Sequence, residues 1–177
     1  MSSDFAERRL APIYLALSAA GLVAIAVSEG YTDKAVIPVP GDKPTLGFGT
    51  TDGVKLGDRT TPPQALGKAL RDVQVTEAGL KRCIHVALYQ HEYDALVRLA
   101  YNVGAGAVCD SSIPGKLADN DYAGACRTIL DFDKMRDCSK PLVWDKKKQK
   151  WVCQLVPIRG LSIRRQTEYR QCMGAGQ

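Results

Sequence analysis

The sequence predicts an α+β fold that is mostly helical and has one small antiparallel hairpin sheet near its N-terminus. Three observations lead to this prediction. Residues 37–61 are dense in Gly, Pro and Thr and contain alternating runs such as Thr45–Gly49, which is typical of a twisted hairpin. Apolar residues then recur at helical spacing in several segments. Before the last of these segments the spacing is lost, in a polar stretch bracketed by Cys138 and Cys153.

The first element is an uncharged stretch, Leu10–Ser28, that follows Arg8 and Arg9. As a helix, its 19 residues would span roughly 28 Å, about one bilayer core. Six of these residues are Ala and others are Gly, Ser or Pro, so the strongly apolar residues supply only a few kcal/mol of insertion free energy and we expect the segment to insert into a membrane reversibly. The two arginines, with no further basic residue before Lys34, place the N-terminus in the cytoplasm and the rest of the chain outside.

Two other interpretations of this segment stay open. Ala24–Ala26 has the Ala-x-Ala pattern that a signal peptidase accepts, so the segment could be a cleaved signal peptide. It could also be a buried helix of a soluble protein, although the flanking arginines argue against this.

Four later segments have the periodicity of helices. The first begins at Thr61, a suitable N-cap followed by prolines that a first helical turn tolerates. The second ends at Gly104, and the third covers Tyr122–Leu130. The last is Ser162–Met173, with Ser162 as its cap. Its exposed side is expected to carry Arg164, Arg165, Glu168 and Arg170.

The formal net charge of +5 is compatible with a polyanionic partner, which could be a nucleic acid, an anionic membrane or an acidic cell wall. The only lysine cluster, Asp145–Lys150, has no interleaved aromatic residues and is interpreted as a solvated hairpin tip. We therefore expect no nucleic-acid partner.

Six cysteines form an even set without a Cys-x-x-Cys pair, and only His85 and His91 could assist a zinc site. This spacing predicts disulfides in an exported protein rather than a metal centre. No metal and no cofactor are expected.

The residues with the clearest chemical meaning are Glu29, Asp42 and Thr45, which lie at the predicted end of the first helix and on the following hairpin. Glycoside hydrolysis needs one carboxylic acid to protonate the leaving oxygen and a second group to position or deprotonate a water. Taken singly, these residues could be an interfacial, a turn and a strand residue. Their order along the chain favours the catalytic interpretation.

This pattern resembles that of the phage-type lysozymes, in which a Glu ending the first helix precedes an Asp, a Thr and a Thr-x-Gly-aromatic-Gly run. The motif Ala100–Gly106 looks like the family's central helix, and Gly124–Cys126 and Gly160–Cys172 look like its C-terminal helices. The resemblance covers about residues 28–172. It implies a lysozyme-like fold and hydrolysis of the β-1,4 bond between N-acetylmuramic acid and N-acetylglucosamine in peptidoglycan, which lyses the host cell.

With its weak apolar segment, the chain is also similar to the signal-anchor-release endolysins, which wait inactive in the inner membrane until the segment escapes into the periplasm. The implied organisation is a release segment over residues 1–28 and a catalytic domain over residues 29–177, with an inserted disulfide hairpin over about 134–156. The expected partners are peptidoglycan and, before release, the inner membrane. The expected state is a monomer.

The hairpin departs from the family's spacing. Counting forward from Glu29 reaches Pro38 and counting back from Thr45 reaches Val39, neither of which is acidic. Asp42 is the nearest carboxylate able to face Glu29. The resemblance therefore implies Glu29 as the acid, Thr45 as the residue that holds the nucleophilic water and Asp42 as the base.

The resemblance carries two further implications. Tyr101 and Asn102 are expected to bind substrate, although Asn102 could equally cap its own helix turn. The implied disulfides are Cys83–Cys109, Cys126–Cys172 and Cys138–Cys153.

Two other classes of protein compete with a lysozyme. A lytic transglycosylase needs one Glu and no Asp to activate water, so the lack of an acidic residue at the family's Asp spacing keeps this class open. A non-catalytic, membrane-tethered wall-binding protein would also explain the basic charge and the apolar segment. An exported nucleic-acid binder is a weaker candidate, because no recognisable motif supports it.

Overall fold

The computed structural model describes residues 8–38, 41–146 and 149–175. The apolar segment near the N-terminus is not one continuous helix. A 3-10 turn, Pro12–Tyr14, is followed by extended residues and then by helix α1, Ala19–Glu29. Ser18 caps α1, because its Oγ accepts a hydrogen bond of 3.0 Å from the backbone N–H of Gly21. Among the described residues, no helix is both long and apolar enough to cross a membrane.

The N-terminal sheet is an antiparallel pair of strands, β1 (Thr32–Val36) and β2 (Thr45–Gly47). The expected hairpin is present, but its first strand lies before the Gly-rich and Pro-rich region in which we placed the sheet. Val39 and Pro40, in the connection, lie outside the described residues. Gly47 has a φ of +65°, and a Cβ there would lie 2.7 Å from the Cβ of Ala65, so the sheet packs closely on the next helix.

The rest of the molecule is mainly helical. Its elements are α2 (Pro62–Leu80), α3 (Gln90–Val103), α4 (Ala105–Cys109), α5 (Ile113–Ala118), α6 (Tyr122–Thr128) with a 3-10 turn at Ile129–Phe132, and α7 (Arg159–Cys172). Helix α3 is the centre of the core, and it packs against α1, α2, α4 and α7. Its residues from Glu92 to Ala100 are all buried. The predicted fold class is confirmed.

The predicted start and end signals of two helices are confirmed. The backbone N–H of Thr61 donates to Gln64 Oε1 at 3.2 Å, which completes one half of a capping box at the start of α2. Helix α3 ends at Gly104, which has a φ of +88°, a conformation that glycine adopts without strain.

The region between α6 and α7 is a nested hairpin. Strand β3 (Lys134–Asp137) pairs with β6 (Gln154–Pro157), and β4 (Val143–Asp145) pairs with β5 (Lys150–Val152). The disulfide Cys138–Cys153 lies between the two pairs of strands. Lys147 and Lys148, in the predicted solvated tip, lie outside the described residues.

Two further disulfides join the helical part of the chain. Cys83 is bonded to Cys109, and Cys126 on α6 is bonded to Cys172 at the end of α7. Together with the hairpin disulfide, these are the three pairs that the family resemblance implies. The bond from α6 to α7 closes a loop of 46 residues that contains the whole hairpin. Such a cross-link stabilises a fold by about 2–4 kcal/mol, mainly by restricting the unfolded chain.

The last helix differs from its prediction in two ways. It begins at Arg159 rather than at Ser162, and the Ser162 hydroxyl donates to Asp133 Oδ2 at 3.0 Å instead of capping the helix. In addition, Arg165 and Glu168 are 0% and 2% exposed, not on the solvent face. They form a buried ion pair because α7 packs along α3 on the side that carries them. Arg170 is exposed as predicted.

Candidate active site

Glu29 is the last residue of α1. The helix ends there because Gly30, with a φ of +70°, turns the chain away. The Glu29 side chain is 21% exposed, so its carboxylate is partly withdrawn from water but open to one side. Gly30 and Tyr31 then lead into strand β1, which connects the helix that carries this carboxylate to the sheet.

The hairpin approaches Glu29 at Gly49, two residues after β2. Gly49 has a φ of +86°, and a Cβ at this position would lie 3.2 Å from Glu29 Cγ and 3.3 Å from Glu29 Oε2. Both the backbone angle and the close approach favour glycine. The second glycine of the Thr-x-Gly-aromatic-Gly run therefore brings the hairpin backbone against the carboxylate.

Arg164 of α7 holds the other oxygen of the carboxylate. Its Nη1 donates to Glu29 Oε1 at 2.8 Å, and its Nη2 donates to the backbone carbonyl of Ser28 at 3.1 Å. Arg164 is itself 22% exposed. Sequence reasoning placed Arg164 on the solvent face and missed this contact. The two residues are 135 positions apart, so helical periodicity alone could not pair them.

Tyr101 and Asn102, at the end of α3, contact different parts of the molecule. The Tyr101 hydroxyl donates to the carbonyl of Phe48 at 3.0 Å and fixes the hairpin to the helix. Burial raises the pKa of Tyr101, and the charges of Asp72 and Glu29 act in the same direction. Asn102 is exposed, and its Oδ1 accepts a hydrogen bond from Arg165. A substrate-binding role for either residue stays a prediction.

The two other predicted catalytic residues lie on the hairpin. Thr45 is half-buried at the start of β2, and its hydroxyl donates to the carbonyl of Lys43 at 3.3 Å. Asp42 is exposed in the connection between β1 and β2, close to the residues outside the described part of the chain. Their roles as water ligand and base stay predictions.

A cleft of about 240 Å³ opens beside Gly49 and contains carboxylates that sequence reasoning did not consider. It is lined by Gly49, Thr51, Asp52, Asp72, Val75, Thr76 and Tyr101. Asp72 accepts a hydrogen bond of 2.6 Å from the buried hydroxyl of Thr50. Over residues 8–38, 41–146 and 149–175, no cluster of His, Cys, Asp or Glu has the arrangement of a metal site.

A carboxylate at a helix end, held by an arginine and facing a glycine-rich hairpin beside an open cleft, fits the acid of a lysozyme-like glycoside hydrolase. Residues 26–168 match the sequence profile of the phage lysozyme family. The chain belongs to this family. The expected family and the expected class of enzyme, a glycosidase that degrades peptidoglycan, are thereby confirmed.

Individual relatives agree with this assignment. The chain is 33% identical over 152 residues to an endolysin of Acyrthosiphon pisum secondary endosymbiont phage 1, covering 86% of this chain and 94% of the relative. It is 34% identical over 161 residues to the SAR-endolysin of Pseudomonas phage phiKMV, covering 90% and 88%. Its fold is similar to that of an endolysin from Escherichia coli O157:H7 phage FAHEc1, with a TM-score of 0.75, 30% identity and coverage of 90% and 94%.

Proposed function

We propose that this enzyme hydrolyses the β-1,4 bond between N-acetylmuramic acid and N-acetylglucosamine, with Glu29 as the general acid. The observation that carries the proposal is the position of the Glu29 carboxylate between Arg164 and Gly49. One oxygen is bound to the guanidinium, and the other lies on the hairpin side. In its protonated form, a carboxyl group fixed in this way can deliver its proton in one defined direction.

The reaction then follows from proton balance. Glu29 gives its proton to the glycosidic oxygen as the bond from that oxygen to the anomeric carbon breaks. A water molecule attacks the anomeric carbon from the opposite face and loses a proton to a carboxylate base, so the product has the inverted anomeric configuration. Thr45 is the proposed ligand of this water, and Asp42 is the proposed base.

The assignment of the base can be tested against the other carboxylate near Gly49. We expect Asp42→Asn to lower kcat for purified peptidoglycan by about 100-fold or more, because it removes the proton acceptor. Asp72→Asn should lower it by less than about tenfold, because Asp72 already holds Thr50. The readout is the initial rate of release of reducing ends, with the anomer assigned by NMR.

The opposite order of effects would move the base to Asp72. An anhydro product in place of a reducing end would make the enzyme a lytic transglycosylase. A retained anomer would contradict the inverting arrangement.

We further propose that the N-terminal segment first lies in the inner membrane and then leaves it, as the name of the phiKMV relative suggests. The support in this chain is a set of carboxylates that bind the N-terminal segment in the folded protein. The Glu77 carboxylate accepts a hydrogen bond of 2.7 Å from the backbone N–H of Leu17. The Asp94 carboxylate accepts one of 3.0 Å from the backbone N–H of Ser18. Glu92 binds Arg9 at 2.7 Å.

These contacts link the location of the segment to catalysis. Helix α1 ends at Glu29, so a segment held in lipid keeps the acid away from Arg164 and from the hairpin. Once the segment is released into the periplasm, α1 can dock and Ile25 enters the core. Cleavage after Ala26 would remove most of α1, so we expect the mature periplasmic protein to retain the intact segment. Mass spectrometry of that protein distinguishes the two cases.

Release can be blocked without disturbing the folded enzyme by changing Ala19 and Ala20, which are both exposed. Ala19→Leu with Ala20→Leu should keep the protein in the membrane fraction and prevent lysis, because each leucine favours insertion. Gly21 is unsuitable, because a Cβ there would lie 2.5 Å from Leu17 Cδ1. The control is Ala107→Leu, an exposed alanine outside the segment.

Normal release and lysis by the double leucine variant would contradict the proposal. Purified from detergent and refolded, this variant should still degrade peptidoglycan. That result would separate a failure of release from a failure of the active site.

A further inference from the structure

The net charge of the protein comes from the hairpin between α6 and α7. Residues 134–157 contain seven of the 24 lysines and arginines but two of the 19 acidic residues. The rest of the chain therefore carries equal numbers of positive and negative side chains, and the whole net charge of +5 arises from these 24 residues. An excess of positive charge on one element attracts an anionic partner to that element.

The same hairpin exposes a pair of tryptophans. Trp144 of β4 and Trp151 of β5 are direct cross-strand partners, with ring centroids 5.5 Å apart and an interplanar angle of 70°. They are 46% and 62% exposed. A pair of this size usually stabilises a protein by burial. Here the strand ladder and the Cys138–Cys153 disulfide already hold the hairpin, and the indoles remain open to solvent.

The hairpin lies close to the active site along the chain. The backbone N–H of Ile158 donates to the carbonyl of Asp133 at 2.9 Å, which closes the root of the hairpin immediately before α7 begins. Arg164 lies five residues after Arg159, or about 8 Å along the helix at 1.5 Å per residue. The helix that binds Glu29 therefore also carries the hairpin root.

We propose that the hairpin is an accessory binding site for peptidoglycan glycan strands, an inference that rests on the proposed function. The apolar faces of pyranose rings stack on exposed indoles, which supply a rigid, amphipathic surface. Lys146 and Lys150, both exposed beside the tryptophans, are placed to attract the carboxylates of the peptide stems. An anionic membrane would use the same residue types, but the position of the root near Arg164 favours the substrate that Glu29 cleaves.

Binding can be measured apart from cleavage by using Glu29→Gln as the background and sedimenting the protein with insoluble purified peptidoglycan. We expect Trp144→Ala with Trp151→Ala to weaken binding, raising the apparent Kd at least tenfold. Leu155→Ala is the matched control, because Leu155 is also 62% exposed on the same hairpin but lies outside the tryptophan pair. It should leave binding unchanged.

The charge contribution has its own test. Lys146→Gln with Lys150→Gln should weaken binding severalfold at low salt and little at high salt, because exposed charges are screened. In the enzyme with an intact Glu29, the tryptophan variant should raise KM for insoluble peptidoglycan and leave kcat nearly unchanged. Mass analysis of the Cys138–Cys153 disulfide and an unchanged unfolding midpoint would show that the hairpin is still formed.

Equal binding by the tryptophan variant and its background would overturn the proposal. Binding to vesicles of anionic phospholipid, lost in the tryptophan variant while wall binding is retained, would overturn it in favour of a membrane site. The proposed function is judged separately, by whether the wild type releases reducing ends.

Discussion

The two helices that supply the Glu29–Arg164 ion pair, α1 and α7, differ in composition. Helix α1, which ends in Glu29, has no charged residue before that position, yet Val23 and Val27 are 61% and 78% exposed. Helix α7, which supplies Arg164, is rich in charge, yet it buries Arg165 and Glu168 almost completely. The apolar helix α1 therefore presents apolar side chains to water, and the charge-rich helix α7 has charges in its buried face.

The contacts explain this reversal. Helix α1 is held at its N-terminal end by Asp94, which accepts hydrogen bonds from the backbone and the hydroxyl of Ser18 at 3.0 and 2.5 Å. In α7, the Arg165 guanidinium binds Glu168, the amide of Asn102 and the carbonyl of Phe132. A helix proposed to reside first in lipid and then in the folded protein has no need of a single apolar face. Its docking depends on polar contacts with fixed positions.

The largest effect is expected from breaking the buried pair in α7. Arg165→Met leaves the Glu168 carboxylate buried without its partner and should lower the free energy of unfolding by about 3–5 kcal/mol at pH 7. Urea unfolding measures this change. Arg170→Met, at an exposed position of the same helix, should change it by less than about 0.5 kcal/mol. Equal changes in the free energy of unfolding for the two variants would show that the Arg165–Glu168 ion pair does not stabilise the fold.

The pH dependence of this variant follows from the protonation of Glu168. Burial raises the pKa of Glu168 above its ordinary value of 4.5, and Arg165 opposes this shift. Without Arg165, the folded-state pKa of Glu168 rises further, while the unfolded state is the same in both proteins. The stability deficit relative to the wild type therefore grows as the pH rises through these raised folded-state pKa values. The deficit of Arg165→Met should therefore shrink below about pH 4.5, where Glu168 is protonated in both states. A deficit that does not depend on pH would point to lost packing instead.

The next largest effect is expected where Gly49, after strand β2, approaches Glu29 at the end of α1. Gly49→Ala should lower kcat by about 10-fold to 100-fold, because the new Cβ would displace the Glu29 side chain by a few tenths of an ångström. Gly53→Ala is the matched control, since Gly53 also has a positive φ of 67° but a Cβ added there would have no neighbouring atom within 4 Å. Similar losses of kcat in both variants would attribute the effect to backbone strain.

The smallest effects distinguish the polar and apolar attachments of α1. Ser18→Ala should destabilise the fold by about 1–2 kcal/mol, because it removes an N-cap and a hydrogen bond to Asp94. Val27→Ser should change the unfolding free energy by less than about 0.5 kcal/mol, because Val27 is largely exposed. If Val27→Ser were the more damaging substitution, the apolar face of α1 would be its principal attachment.

The parts of the fold that could be predicted from the sequence are those with local signals. Thr61 and Gly104 mark a helix start and a helix end through backbone chemistry that acts within a few residues. Strand β1 was placed too late because glycine and proline mark the turn and the loops rather than the strand itself, and Thr32–Val36 has no clear alternation.

The contacts of α7 could not be predicted in this way. A charged residue on a helix is solvated in most proteins, so Arg165 and Glu168 looked like surface residues. Only the path of α7 across α3, which is a tertiary feature, determines that Arg165 faces Asn102 and that Arg164 faces Glu29. Glu29 itself could be found because a glycosidase requires a carboxylic acid and the motif around it fixes its place.

The most direct test of the central claim is digestion of purified peptidoglycan by the wild type and by Glu29→Gln, with mass spectrometry of the soluble fragments. We predict that the wild type releases fragments with reducing muramic acid ends and that Glu29→Gln, although equally stable, releases none above background. Equal release by the two proteins would contradict the assignment of Glu29 as the acid.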